Sequence, residues 1–520
     1  MNKKNKRLAA IDIGSNSIRC IVVEVLEEST FRVLTDEKAT VRLGENMTSC
    51  GRIAAAPWQR AMDSLLRMKK IADGYGAELV EAVATSAVRR AVNGGDFVRA
   101  VERETGIRAE VISGEEEARL VSLSVLNNFD MEGVRYGMVD IGGGSLEIVT
   151  AFGGHVEEFY SLELGAVTIT DRFLRRDPVA PGDLARVYKH VRASLKAAFK
   201  GEQVKAQVLV ASGGTITSIA SMIMAMRREK YETAHGYEAL LSDIVHLLAM
   251  LQRKDLKGRG TLPGLNPDRA DIIVAGVAVI SEVMRFFDVN ILRVNERGIR
   301  EGLILDILRK HELVRQKGRR RTWREAVLDF ARSCLVDEEH AGHVAKLALE
   351  MFDVLSVPFA MGDKERRILE AASLLHDAGY FISYTSHHKH SYHLIRHADL
   401  LGFTPREREI IANTARYHRK SLPGKKHDSF ARLTEEDRLL VCRLGGILRL
   451  ADGLDRRRGG VVTRVKPTLT RSVFRLGLES DEDLSVELFS GRQKGVLLEE
   501  AFQRKLVMEE GKGNPSVQEK

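Results

Sequence analysis

The sequence predicts an α/β protein: two related α/β lobes, then an all-α domain, then a small β-rich C-terminal segment. Two observations carry this. The six-residue frame DIGSNS at 12–17 returns as DIGGGS at 140–145, each time between short apolar runs. Beyond residue 322 the apolar spacing changes from strand-like runs to intervals of three and four, the helical period. A chain of 520 residues also exceeds what one core encloses, so several domains are expected.

Taken in order, LAAIDIG, IRCIVVEV and FRVLTDEKATVRLG read as three strands joined by tight turns. PWQRAMDSLLRMKKIADGYG at 57–76 is helical, LVEAVATSAVRRA is a strand then a helix, and ISGEEEARLVSLSVL opens another helix. At 136 the scheme restarts with YGMVDIGGGS, LEIVTAFGG and HVEEFYSLEL, and VLVASGGTITSIASMI at 208–223 reads as strand, glycine turn and helix. This places one lobe at 1–130 and a second at 131–312, whose last helix can pack back on the first. The polar, basic stretch RQKGRRRTWRE at 315–325 marks a boundary. Helical patterns fill 322–458. The segment 459–520 is read as β-rich, through GVVTRVKPTLT, SVFRLGLES and DLSVELFS, with GKGNPSVQEK as a frayed tail.

Composition narrows the function classes. Hydrophobic residues make up 44% and charged residues 29%, the balance of a soluble globular protein. A formal charge of +8 favours polyanionic partners. Cys20, Cys50, Cys334 and Cys442 form no CxxC pair, which fits a reducing cytoplasm better than a disulfide framework or zinc knuckle. The basic N-terminus lacks an apolar signal core, and the apolar run IIVAGVAVI at 272–280 is far short of the ~20 residues of a membrane span. A cytoplasmic protein with no membrane partner and no specific nucleic-acid partner is therefore expected.

The two turns carry the chemistry. After a strand ends in Asp140, glycines let successive backbone N–H groups point into one small space, an anion nest suited to phosphate oxygens. Gly142, Gly143, Gly144 and Ser145 form one such nest, and Gly14, Ser15, Asn16 and Ser17 the other. Asp140 can hold a hard divalent cation directly or through water. A third turn, ASGGT at 211–215, sets Gly213, Gly214 and Thr215 at a helix start, where free N–H groups and the dipole favour anions. An Asp-x-Gly-Gly turn is also an ordinary hairpin turn; the matched pair is what points to a cleft for phosphates.

AIDIGSNSIRC, ATSAVRRA, ISGEEEARL, VDIGGGSLEIV, ASGGTITSIA, NERGIREGLI and ARYHRKSLP, colinear from about residue 8 to about 455, resemble the exopolyphosphatase / guanosine pentaphosphate phosphatase (Ppx/GppA) family. The resemblance implies actin-like (ribonuclease H-like) lobes and an HD-like helical domain. It implies hydrolysis of a phosphoanhydride: release of terminal orthophosphate from inorganic polyphosphate, or of the 5′ γ-phosphate of pppGpp. It assigns Glu117 as the base that activates water. Ser113 and Glu116 have the spacing of a capping box, which leaves Glu117, ~100° further round the helix, free to point elsewhere. Without the resemblance, Glu117 reads as a solvated first-turn carboxylate. Asp140 and Glu147 are the expected Mg²⁺ ligands, Asp12 would orient waters on the metal, and Arg89 would grip a phosphate through its planar guanidinium. With no Ser-His-Asp or Cys-His set recognised in the sequence, direct attack by water is expected. A homodimer is compatible with the resemblance, but no stretch marks an interface.

In the helical half, His340, the pair His376–Asp377, and Asp452 follow the order H…HD…D of HD-type metal phosphohydrolases. Imidazole with carboxylate suits a transition metal: Mn²⁺, Fe²⁺, Ni²⁺ or Zn²⁺. The competing reading is a relic whose buried polar groups satisfy one another. In SHHKHSYHLIRH at 386–397, His390, His393 and His397 share one helix face and could extend the site to two ions, or simply form a polar face. His343 reads as packing. Arg419, Lys420 and Arg456 to Arg458 are candidates to line a polyphosphate path. Two alternatives remain open: an HD-domain hydrolase whose front lobes sense (p)ppGpp or polyphosphate, and a non-catalytic binding protein.

Overall fold

A computed structural model describes residues 6–26, 31–45, 47–202, 204–313 and 322–510. The chain divides into two compact units, residues 1–320 and 321–520. The basic stretch from 314 to 321 and the tail GKGNPSVQEK lie outside the described residues.

The first unit is built on two sheets with the same plan. In the first, β1 (Arg7–Ile13), β2 (Ser17–Val25) and β3 (Phe31–Thr40) form an antiparallel meander, and β4 (Leu79–Ala84) and β5 (Ala109–Val111) add parallel strands beside β1, in the order β3-β2-β1-β4-β5. In the second, β6 (Arg135–Ile141), β7 (Leu146–Phe152) and β8 (His155–Leu162) repeat the meander. Then β9 (Val208–Ser212), β10 (Glu238–Leu240) and β11 (Ile291–Asn295) complete the order β10-β11-β9-β6-β7-β8.

β1 is apolar on both faces because both are covered. Ala9, Ile11 and Ile13 join the core beneath the helix Ala55–Gly74, while Leu8 and Ala10 join a second core shared by the two sheets. That shared core is filled by the helices Gly114–Asn128 and Gly298–Lys310. Their approach requires Gly302, because a Cβ there would lie 1.8 Å from the Leu120 carbonyl oxygen. The outer face of the second sheet packs on Ile273–Phe286 and its neighbours. The architecture is two actin-like α/β lobes, followed by a helical region and a small β segment.

In the second unit the helices Glu338–Ser356, Asp363–Leu375, His387–His397, Pro405–Arg416 and Glu435–Leu454 surround one core. The C-terminal sheet differs from the expectation. β12 (Arg464–Leu469) and β13 (Val473–Glu479) form the hairpin, but DLSVELFS is not a strand: Ser485–Lys494 is a helix, followed by the helix Val496–Phe502. The third strand, β14 (Lys505–Glu510), pairs parallel to β13. A parallel pair needs a long crossover, and the two helices supply it. Buried Glu487 anchors the first of them through Arg457 Nε and Nη2, at 3.0 and 2.8 Å.

Candidate functional site

The two DIG turns abut. Each is closed in the same way: Gly14 N–H donates to the Ser17 carbonyl at 3.2 Å and Gly142 N–H to the Ser145 carbonyl at 3.0 Å. A Cβ on Gly144 would lie 2.5 Å from Ser86 Oγ and 3.0 Å from Ser15 Oγ, and one on Gly143 would lie 3.1 Å from Ser15 Cβ. Among the described residues, the amides of Ser15, Asn16, Gly143 and Gly144 donate to no backbone or side-chain group, so their N–H groups remain available to an anion. The third turn closes the floor. Gly213 sits at φ 103°, and a Cβ there would meet Asp140 Oδ1 at 2.8 Å and the Ile141 carbonyl at 2.6 Å, so this turn demands glycine. These turns line a cavity of about 110 Å³, together with Asp12, Glu117 and Asp140.

At its base the carboxylates crowd. Burial pushes Asp140 up to about 7, and the charges of Glu147 and Asp12 add to it. Burial likewise raises Asp12 to about 6, against the pull of Arg300 and Arg19. Burial, then repulsion from Glu147, holds Glu117 well above the usual carboxylate range despite Arg89. Glu147 is buried and raised by desolvation. Its Oε1 accepts from Ser161 Oγ at 3.0 Å, while its Oε2 has no hydrogen-bond partner among the described residues. Four crowded oxygen-donor groups whose ionisation burial opposes, one with an orphaned buried oxygen, fit a hard divalent cation such as Mg²⁺.

The same cleft carries a basic wall that sequence reasoning missed: Arg19, the cross-strand neighbour of Asp12, with Arg269 and Arg300. Among the described residues Arg19 and Arg269 have no ion-pair partner, whereas Arg300 pairs with Asp36. Burial and the neighbouring Arg19 charge lower Arg269 to about 10; burial, then Arg300, lowers Arg19. Signals existed for two of them. Arg19 shares a strand face with Ser17, two residues from the first turn, and Arg300 lies in the NERGIREGLI motif. Arg269 comes from a short 3₁₀ segment, Pro267–Arg269, with no periodic signal.

Two expected phosphate contacts fall elsewhere. Thr215 is buried against Gly276, where an added Cβ would lie 2.3 Å from Thr215 Cγ2; Thr217, half a turn on, lines the cleft instead. Arg89 does not line the cleft. Its Nη1 donates to the Ile112 carbonyl at 2.8 Å and to Glu117 Oε2 at 3.2 Å, so it positions Glu117 rather than gripping a phosphate. Ser113 Oγ does cap the helix, accepting from Glu116 N–H at 3.1 Å, but the Glu116 carboxylate turns to Arg119 rather than completing a capping box.

In the helical unit, His340, His376, Asp377 and Asp452 come together. His340 Nε2 lies 3.9 Å from Asp377 Oδ2 and 3.6 Å from Asp452 Oδ1, and His376 Nε2 lies 3.6 and 3.9 Å from the same two oxygens. His387 and His418, which the sequence reading passed over, join on the other side of Asp377: their Nε2 atoms lie 3.3 and 3.7 Å from Asp377 Oδ1. His393 and His397 are exposed and His390 is half-buried, all on the outer face of their helix. Of the expected path cations, Arg419, Lys420, Arg456 and Arg458 line this pocket, while Arg457 is held by Glu487.

A model of the Ppx/GppA phosphatase family matches residues 21–311, and a model of domain III of that family matches residues 321–489. Among solved structures, the chain is similar to an Aquifex aeolicus Ppx/GppA family member, at 28% identity and a TM-score of 0.52, over 59% of this chain and 98% of that one. It is similar also to an exopolyphosphatase from Cytophaga hutchinsonii, at 27% identity and a TM-score of 0.55, over the same shares. With both its units matched by models of one family, the chain belongs to the Ppx/GppA phosphatase family.

Proposed function

We propose that the front cleft is a Mg²⁺-dependent phosphoanhydride hydrolase that releases terminal orthophosphate from inorganic polyphosphate, the 5′ γ-phosphate of pppGpp, or both. The observation that carries this is what one cleft brings together: buried carboxylates held above their usual range, arginines of which Arg19 and Arg269 have no ion pair among the described residues, and turn amides that donate to no protein group. Asp140 and Glu147, with Asp12, would hold Mg²⁺, which supplies neutralisation of phosphate charge. The turn amides and Arg19, Arg269 and Arg300 bind and orient the chain. Glu117, fixed by Arg89, takes a proton from the attacking water. Water oxygen joins the terminal phosphorus, the bridging P–O bond breaks, and the shortened chain leaves as an anion. Polyphosphate suits this wall because it asks for cations and no base pocket.

The test is phosphate release with Mg²⁺ from long-chain polyphosphate and from pppGpp, side by side, for wild type and Glu117→Ala. Loss of general-base catalysis should lower turnover by about 10²–10⁴-fold. Unchanged turnover in the variant would remove Glu117 from the chemistry, and the better substrate identifies the activity.

A further inference from the structure

The second DIG turn is held so that its amides face one way. Ala166 N–H donates to the Gly142 carbonyl at 3.0 Å, and Val167 and Thr168 N–H donate to the Gly143 carbonyl at 2.9 and 3.1 Å. Thr168 Oγ1 donates to the Gly144 carbonyl at 3.0 Å. In a trans peptide the N–H points opposite to the carbonyl it is joined to. Tying the carbonyls of Gly142 and Gly143 to the helix Ala166–Phe173 therefore turns the amides of Gly143 and Gly144 away from that helix, and both glycines line the cleft.

Three donors gather on the bare side of Gly144. A Cβ there would lie 2.5 Å from Ser86 Oγ, 2.9 Å from Arg90 Nη2 and 3.0 Å from Ser15 Oγ. Ser86 is 3% exposed and lines the cleft, yet its Oγ is buried with no hydrogen-bond partner among the described residues. A buried hydroxyl without a partner costs stability, and an alanine methyl would fill nearly the same space without that cost. The hydroxyl is therefore not there to hold the fold. Arg90 is nearly as unspent. Its Nε is buried without a partner, and its Nη1 reaches Glu163 at 3.2 Å, a carboxylate exposed enough that the pair neutralises it weakly.

Ser86 also stands on the side of the base. The short helix Ser86–Arg90 puts Arg89 three residues on, on the same face, and Arg89 Nη1 holds Glu117 Oε2 at 3.2 Å. One strand-to-helix turn thus supplies both the arginine that fixes Glu117 and a spare hydroxyl beside Gly144.

We propose that Ser86 is a further catalytic residue of the front cleft: its hydroxyl donates a hydrogen bond to a non-bridging oxygen of the terminal phosphate, beside the Gly143 and Gly144 amides, with Arg90 as cationic backing. The role rests on the cleft being the phosphoanhydride hydrolase proposed above. Such a donor counts most in the transition state. As water approaches and the bridging bond lengthens, the three non-bridging oxygens swing towards one plane between the attacking and leaving oxygens. Donors fixed for that geometry hold it more tightly than the tetrahedral ground state. Ser86 keeps its proton throughout, because the water proton goes to Glu117.

The test measures phosphate release with Mg²⁺ over a range of concentrations of long-chain polyphosphate and of pppGpp. The full chain is compared as wild type, Ser86→Ala, Ser86→Cys and Glu117→Ala, with thermal unfolding of each. On each substrate that the wild type hydrolyses, Ser86→Ala should lower kcat about 10²-fold and leave KM within about twofold. Its melting temperature should hold or rise, because the lost hydroxyl bonds nothing in the protein. Ser86→Cys, a weaker donor of similar shape, should turn over at an intermediate rate. A kcat unchanged in Ser86→Ala, or a fall in kcat that comes with a lower melting temperature, would overturn the role; the second result would make the hydroxyl structural. If Glu117→Ala abolishes release and Ser86→Ala does not slow it, Ser86 is no catalytic residue and the cleft remains the enzyme. If neither variant changes release, the cleft is not where the chemistry occurs.

Discussion

Asp140 should make the ion-free protein less stable than its neutral counterpart. Its carboxyl moves from 3.8 to about 7 on folding, mainly through burial and then through Glu147 and Asp12. At about 1.4 kcal/mol per tenfold, the ionised form costs the fold ~4 kcal/mol. Asp140 keeps some contact with solvent, which screens part of this, so ~2–3 kcal/mol is the working expectation. The sign follows from proton binding. Between about pH 4 and 7 the folded chain holds a proton that the unfolded chain has lost, so stability falls as pH rises through this window. Asp140→Asn removes the penalty. The sequence has only two tryptophans: Trp58, packed edge-on to Phe97 in the first lobe, and Trp323 in the helical unit. In a Trp323→Phe background, Trp58 fluorescence during urea unfolding reports on the front unit. Without Mg²⁺, Asp140→Asn should be more stable by ~2–3 kcal/mol at pH 8, with the gap closing toward pH 4. Mg²⁺ at a hundred times its dissociation constant should return about 2.7 kcal/mol to the wild type alone. A variant no more stable than wild type at pH 8, or a gap independent of pH, would refute the crowded-carboxylate reasoning.

Further outcomes follow from single contacts. Arg269→Ala removes a buried cation that forms no direct ion pair among the described residues, Asp268 and Asp271 acting on it only from a distance; the KM for polyphosphate should rise about tenfold, worth about 1.4 kcal/mol, and its dependence on salt should flatten. Gly302→Ala sets a methyl group against the Leu120 carbonyl, and urea unfolding should show a loss of ~1–3 kcal/mol from overpacking. Thr215→Val keeps the branched shape that packs on Gly276 and should leave the KM for polyphosphate within about twofold, because Thr217 rather than Thr215 lines the cleft.

What was legible in the sequence follows what local chemistry constrains. The DIG turns could be read because a strand followed by a glycine turn has few conformations, and the repeated order of strands exposed the lobes. The basic wall was harder. Arg19 needed only strand alternation from Ser17, but Arg269 reaches the cleft because a loop crosses the face of Gly214, a tertiary fact with no period. Thr215 and Thr217 were indistinguishable by composition; the helix packed at Gly276 decides which one turns inward. His387 and His418 sit near the ends of different helices and share no helical period, whereas His390, His393 and His397 share one helix face. DLSVELFS alternates well enough for a strand, yet the parallel pairing of β13 with β14 demands a crossover and makes it helical.

The charges of the front cleft give the strongest argument that it is built for a ligand rather than for stability. Asp12 and Arg19 belong to the same cleft, and each bears on the other's ionisation. A structure selected for stability would pair such groups directly, as Asp183 is paired with Arg176 and Arg186 elsewhere in the second lobe. Here neighbouring acids raise Glu117 and Asp140, and neighbouring arginines lower Arg19 and Arg269. Each group would be relieved by a partner of opposite sign: a divalent cation for the first, a polyanion for the second. Magnesium with a phosphate chain supplies both at once. The two should therefore bind cooperatively, each removing repulsion that the other's site would otherwise bear.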